Sequence, residues 1–256
     1  MTPIPAYLVH WHAAQWCAES VSALLASKDV DVVVTVINNG GDLVLPPEVA
    51  VLEPPENLGF AAAANAALRQ GLKSDAPYVL IGCHDARLAP DSLCALVEAL
   101  EGDTGLAVVG PALNGAGDSE PDLDWIPGAV MLIRREVAET FRFDERFGSY
   151  VEDVDFCYRV RDVGWRVGRV GTAHAEMRGS VDPVRARVLM HANTLVFLAR
   201  RRMARELVRR VVFLLSSATS QPSDRWDYLR ALTLGAWRLA GFWYRSPDVV
   251  TSRVRW

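Results

Sequence analysis

Side chains able to do chemistry gather in a few short stretches of this 256-residue sequence. Glu152-Asp153-Val154-Asp155 sets three carboxylates within four positions. At the head of a helix they suit the positive end of the dipole and cap the first turn, and a carboxylate can also take a proton or hold a hard cation. Cys83-His84-Asp85 joins a thiol, an imidazole and a carboxylate. A cysteine nucleophile is disfavoured, because the adjacent carboxylate raises a thiol pKa and no triad order is evident; a buried or pocket-lining thiol is expected. His10-Trp11-His12 points two imidazoles to one side of a strand, but no nearby spacing supplies further metal ligands. Asn38-Asn39 offers amides that both donate and accept. The small pair Gly128-Ala129 allows close approach of a ligand or backbone, or simply belongs to a buried strand.

These residues need elements to position them. Residues 6–9 read as a strand, 15–26 as a helix and 30–37 as a β-branched strand of the kind buried in parallel sheets. A short strand at 49–52, an alanine-rich helix at 60–70, a strand at 78–81, a helix at 89–100 and a strand at 106–110 continue the alternation. This predicts an α/β fold, a mostly parallel sheet flanked by helices. Ligands bind such sheets at the carboxyl ends of the strands, where Asn38-Asn39 and Cys83-His84-Asp85 fall. Residues 114–124 read as a loop, 126–133 as a strand, the stretch from 150 to 163 as a carboxylate-led helix and 165–170 as a strand. Neither G-x-G-x-x-G nor G-x-x-x-x-G-K-[ST] occurs, so a nucleotide's phosphates would need another holder.

Half of the residues are hydrophobic and 23% charged, enough for a core and too apolar for a disordered chain. The absence of a long uncharged apolar run argues against a spanning helix, and the first residues lack a secretory pattern, so a cytoplasmic protein is expected. Four scattered cysteines without C-x-x-C argue against a zinc ribbon or disulfide framework. Up to position 184 there are 13 basic and 27 acidic residues; from 185 on there are 14 arginines against four acidic residues. The charge break divides the chain into an α/β domain at 1–182 and a basic amphipathic helical extension at 183–256.

The motifs VINNGG, ENLGFAAAANAAL, IGCHDARL, WIPGAVMLIRRE, FDERFGSYVEDVDFCYRVRDVGWRV and AHAEMRGS, in that order, resemble those of inverting family 2 glycosyltransferases of the GT-A fold, within the group similar to bacterial rhamnosyltransferases. The resemblance spans about residues 5–200. It implies a nucleotide diphosphate-sugar donor, a hydroxyl acceptor and Asp153 as the catalytic base, with Glu152 orienting the site and Asp155 supporting the loop. It implies a divalent metal, Mn2+ or Mg2+, on Asp85 and His174; Cys83 stands where the family has Asp or Asn, which weakens a magnesium site, and His174 alone reads equally as a loop histidine. Donor contacts are implied for His10, Asn38, Asn57, Gly59, Asn65, Asp85, Gly128 and Ala129. Asn38 replaces an Asp and forfeits a charge-assisted bond, and Asn57 and Gly59 also read as a turn before a helix.

Helical periodicity runs from 184 to 217 around the cluster Arg200-Arg201-Arg202. Such a helix can lie on anionic lipid at the inner membrane face, near a lipid-linked acceptor, or cover the sheet or form a homodimer seam. Trp226, Trp237, Trp243 and Trp256 suit interfacial anchoring or ordinary packing. Transfer onto a natural product or peptide is a second enzymatic reading, and a catalytically silent nucleotide-binding module a third, given Cys83 and Asn38. No aromatic-interleaved basic motif supports nucleic acid as a partner.

Overall fold

The computed structural model describes residues 2–115, 117–221 and 223–244, the last three of these by backbone alone. The alternation appears as β1 (Ile4–His10), α1 (Ala14–Leu25), β2 (Val32–Asn38), β3 (Ala50–Leu52), α2 (Gly59–Gly71), β4 (Tyr78–Cys83), β5 (Ala86–Leu88), α3 (Ser92–Gly102) and β6 (Leu106–Leu113). It continues through β7 (Glu120–Leu123), β8 (Val130–Arg134), α4 (Arg135–Thr140), α5 (Glu152–Asp162) and β9 (Arg166–Met177), then α6 (Pro183–Arg200), α7 (Ala204–Ser220) and α8 (Arg225–Tyr244). Contacts divide the chain into two units: one holds the residues through Asp144 together with Asp153–Gly179, the other Glu145–Glu152 and the chain from Ser180 on.

In the first unit the strands run in the order β3-β2-β1-β4-β8-β6-β9-β5, with β7 also on β9. From β3 to β4 all neighbours are parallel. The sheet then becomes mixed, because β8 is antiparallel to both β4 and β6. A reversed strand needs no crossover helix, and the chain reaches β8 from β6 without one. One face of the sheet packs Leu8, Val36 and Leu80 against Val21, Leu93 and Leu96. The other packs Ile81 and Met131 against Ala64, Leu68 and Phe156. Small side chains let α2 lie close: a Cβ at Gly71 would come within 2.8 Å of Val79 Cγ1.

The stretch 114–124, expected as a loop, contains β7. Its side chains are largely exposed on both faces, so no alternation marked it; Arg169 pairs with Glu120 at 3.2 Å and Arg161 with Asp122, and these hold the strand to its neighbours.

In the second unit, the periodicity over 184–217 divides into two helices. Arg202 takes φ 56°, and the arginine cluster sits at the break rather than mid-helix. Asp182 caps α6, its carboxylate accepting the Arg185 N–H at 2.9 Å, with Pro183 in the first turn. Leu195, Leu214, Ala218 and Tyr228 form a small core. The outward face of α7 carries Val208, Val212 and Leu215, all exposed, at helical spacing, with exposed Arg202, Arg205 and Arg209 toward its start. Trp226 and Trp237 are exposed on α8; the side chain of Trp243 and all of Trp256 lie outside the described residues.

Candidate active site

Asp153 is the second residue of α5 and half-buried. Its Oδ2 accepts the Gly128 N–H at 2.8 Å and its Oδ1 accepts the Val154 N–H at 2.8 Å. Desolvation by burial raises its pKa above the ordinary 3.8, while these backbone donors pull the other way. Each oxygen keeps a further lone pair for an incoming hydroxyl. Gly128 ties two parts of the site together. Its N–H holds Asp153, and its carbonyl faces Cys83 Sγ at 3.8 Å. A Cβ there would point at Phe60 and Asp153, which explains why the position is small. Ala129 is buried in the core, and its carbonyl accepts the Cys83 N–H at 2.9 Å. The end of β4, the 128–129 turn and the head of α5 therefore converge.

Asp85 follows β4. Its carbonyl accepts the Arg178 N–H at 3.1 Å and its Oδ2 the Gly179 N–H at 3.0 Å, which fixes it to the end of β9. Burial raises its pKa, opposed by His84. His84 directs Nδ1 at the Val9 carbonyl, 3.2 Å away, and stacks near Trp16. His10 is fully buried, its ring 5.0 Å from that of His84 in an edge arrangement. Burial, then His84 and His12, push its pKa down to about 4, so it is neutral at pH 7; neither ring nitrogen has a hydrogen-bond partner among the described residues. The donor contact expected of His10 is thus corrected to a buried position beneath the strand ends, because every residue of β1 is enclosed.

The asparagines sort by partner. Asn38 closes its own turn, donating to the Gly41 carbonyl at 2.9 Å and accepting the Gly40 N–H at 3.1 Å. Asn57 accepts the Gly59 N–H at 2.8 Å, and Gly59 has φ 73°, as the turn reading required. Asn39 joins these two loops: it accepts the Leu58 N–H and donates to the Gly59 carbonyl, both at 3.3 Å. Asn65 is corrected from a donor contact to a structural clamp. It is fully buried on the inner face of α2 and binds Phe143 both ways, donating to its carbonyl at 2.9 Å and accepting its N–H at 2.8 Å.

His174 is exposed on β9. Ala86 pairs with Met177 and Leu88 with Ala175, so Asp85 lies opposite Arg178, four residues farther along than His174 and roughly 13 Å away at strand spacing. The joint ligand role of Asp85 and His174 is corrected accordingly, and no group of three His, Cys, Asp or Glu suited to a metal occurs among the described residues. Asp85 alone fits the sparse carboxylate set on which Mg2+ or Mn2+ shares a substrate diphosphate. Asp155 is buried and pairs with Arg159 at 2.7 Å, whose other branch donates to the Arg142 carbonyl at 2.7 Å; it supports the loop. Glu152, also buried, belongs to the second unit.

No protein-family profile matches the chain. A stretch of 88 residues is 34% identical to an N-acetylglucosaminyl-diphospho-decaprenol L-rhamnosyltransferase of Mycobacterium tuberculosis, in strain CDC 1551 / Oshkosh and equally in strain ATCC 25618 / H37Rv. It covers 32% of this chain and 29% of those relatives, so the match spans less than a third of their length. Among solved structures, a mannosyltransferase from Pyrobaculum calidifontis in complex with GDP-Man and Mn2+ is similar with a TM-score of 0.64 and 15% identity, over 95% of this chain and 79% of that one. GalNAc-T7 with UDP, GalNAc and Mn2+ gives 0.58 and 12%, over 71% and 45%. S. aureus TarS gives 0.56 and 14%, over 76% and 40%. The fold is that of GT-A glycosyltransferases.

Proposed function

We propose that the chain is an inverting glycosyltransferase that moves a sugar from a nucleotide diphosphate-sugar donor to a hydroxyl acceptor. The observation that carries this reading is the Asp153 carboxylate, held by two backbone N–H groups and joined through Gly128 to the Cys83-His84-Asp85 turn. Asp153 takes the acceptor's proton as its oxygen bonds to the anomeric carbon. The bond from that carbon to the diphosphate oxygen breaks with its electron pair, and the nucleoside diphosphate leaves from the opposite face. One displacement inverts the centre. General-base help of this kind is worth about 10²–10⁴-fold. A divalent ion on Asp85 would supply charge neutralisation for the leaving diphosphate. Asn38, Asn39, Asn57 and Gly59 would shape the nucleotide loops at the strand ends.

The lipid-linked acceptor belongs to the same proposal. The matched relatives bear a diphospho-decaprenol substrate in their name, and α7 offers an exposed apolar stripe beside exposed arginines. No helix among the described residues is long and apolar enough to cross a membrane. Two experiments test the reading. Asp153→Asn should keep donor binding and abolish transfer, and undiminished turnover would remove Asp153 from the mechanism; the donor is first identified by thermal shift against nucleoside diphosphates and their sugars with manganese. The 256-residue chain should co-sediment with anionic vesicles and its Val212→Glu variant should not. Equal sedimentation would reject the lipid contact and favour a soluble natural-product or peptide acceptor.

A further inference from the structure

A departing diphosphate gathers negative charge, and the side chains at the carboxyl ends of β1, β2 and β4 offer no fixed cation to meet it: His10 is buried and neutral, Asn38 closes its own turn and Cys83 faces a carbonyl. Several arginines of the first unit stand at the opposite end of the sheet. Arg134 is paired with Tyr78 at the start of β4, Arg135 donates its N–H to the Pro77 carbonyl, and Arg166 is paired with Leu106 at the start of β6. Arg178 is placed differently. Strands β4 and β6 both run antiparallel to β8, and β9 runs parallel to β6, so β9 ends on the same side of the sheet as β4. There the Arg178 N–H donates to the Asp85 carbonyl at 3.1 Å, and the next N–H, of Gly179, bonds Asp85 Oδ2 at 3.0 Å. The root of Arg178 is therefore fixed to the carboxylate turn. Its head is not, for the side chain is 39% exposed. The guanidinium lies 5.6 Å from the centroid of Trp16, whose ring stacks near His84, and Nη2 donates to the Glu19 carboxylate on α1. Nε and Nη1 have no hydrogen-bond partner among the described residues.

We infer that Arg178 is a catalytic residue for the transfer reaction: on donor binding its guanidinium leaves Glu19 and forks onto the donor's diphosphate, where it neutralises the charge of the departing nucleoside diphosphate. This rests on the reading of the chain as a transferase that uses such a donor. A guanidinium suits that ligand, since two parallel N–H groups match two phosphate oxygens and the charge persists at every working pH. Glu19 holds the group ready without holding it hard. The two side chains are 39% and 31% exposed, and pairs of that kind are worth little, so the exchange costs at most about fivefold in affinity. Trp16 supports the guanidinium by its ring face. No proton moves to or from Arg178, and the bonds made and broken remain those of the single displacement.

The test uses the 256-residue chain with manganese and whichever of UDP, GDP, ADP, CDP and dTDP raises its melting temperature most, the matching nucleoside serving as control. By titration calorimetry, Arg178→Ala should weaken diphosphate binding at least about tenfold and leave nucleoside binding unchanged. Arg178→Lys, which keeps the charge and loses the fork, should fall between. Glu19→Gln separates this role from a structural one. It frees the guanidinium and should tighten diphosphate binding by up to about fivefold, whereas a mere brace between α1 and the end of β9 would make Glu19→Gln weaken binding as Arg178→Ala does. In the double variant the gain from Glu19→Gln should vanish. With the donor identified, kcat of Arg178→Ala should fall about 10²–10³-fold, the range for losing one preorganised donor to developing charge. Should Arg178→Ala fail to fold, Arg178→Gln is read in its place. Diphosphate affinity unchanged in the folded Arg178 variants, or weakened by Glu19→Gln, would overturn the inference. A parent chain that binds none of the five nucleotides overturns the donor reading itself; a parent that binds and transfers, with Arg178→Ala its equal, loses the Arg178 role alone.

Discussion

Gly128→Ala isolates the claim that the catalytic carboxylate is held by a close backbone approach. A Cβ at this position would lie 3.2 Å from Phe60 Cε1, 3.3 Å from Phe60 Cζ and 3.4 Å from Asp153 Cβ. Ordinary carbon contacts are about 3.5–4.0 Å, so the neighbours must yield by a few tenths of an ångström. Neither yields freely: Phe60 is buried and meets Phe143 edge-on at 6.2 Å, and Asp153 is fixed at the head of α5 by the Gly128 N–H itself. Overpacking costs about 1–3 kcal/mol; the small shortfall favours the lower half, a fall in melting temperature of about 2–8 °C for a domain of this size. A 1 Å misplacement of a reacting group costs about 10²-fold, so a shift of a third of that should lower kcat about 3–10-fold. Calorimetry and initial rates with the identified donor read both numbers. Phe60→Leu removes the ring edge, and in that background Gly128→Ala should cost less in stability and in rate than it does alone. A Gly128→Ala protein that melts within 1 °C of the parent with unchanged kcat would refute the geometry, and strict additivity with Phe60→Leu would refute its cause.

Because burial raises the pKa of Asp153 above 3.8, the native state holds that proton more tightly than the unfolded chain; the stability it contributes is present below 3.8 and is lost as pH climbs through the folded value. Asp153→Asn should thus melt higher than the parent at pH 7 although inactive, with the gap closing at acid pH, and kcat of the parent should rise with pH through the same ionisation. Asn65→Ala leaves the buried N–H and C=O of Phe143 unmet, at about 1–3 kcal/mol each, so urea unfolding should show about 2–4 kcal/mol lost with nucleotide affinity unchanged. EDTA should lower turnover and manganese restore it; Asp85→Asn should abolish the restoration, whereas His174→Ala, some four strand residues from Asp85's partner, should keep it.

Much of the sheet was legible because buried parallel strands carry long β-branched runs and the helices between them are amphipathic or alanine-rich. Residues 30–37 illustrate this, since Val34, Val36 and Ile37 are buried in β2. What escaped lacked such a signal. The four residues of β7 are polar and exposed, so neither period could mark them, and β8 was expected as a strand whose direction no local pattern encodes. The break at Arg202 contains neither Gly nor Pro, so helical periodicity appeared to run through it.

The acidic head of α5 stood out for a different reason. Asp153 lies in the first turn of a helix, where the Val154 N–H is a local partner, whereas its second partner, the Gly128 N–H, comes from 25 positions away and has no local mark. Amides carry no comparable mark. Asn39, Asn65 and Asn193 are the same residue, yet one bridges two loops, one clamps Phe143 and one collects three carbonyls from a segment more than 40 positions away. What an asparagine does depends on which backbone groups tertiary packing leaves without partners, and that is fixed only when the helices have docked. The strain at Tyr150 and Val151 is of the same kind: valine has no intrinsic preference for a positive φ, so the conformation reports forces that reach it from α6 and α8 rather than from its own sequence.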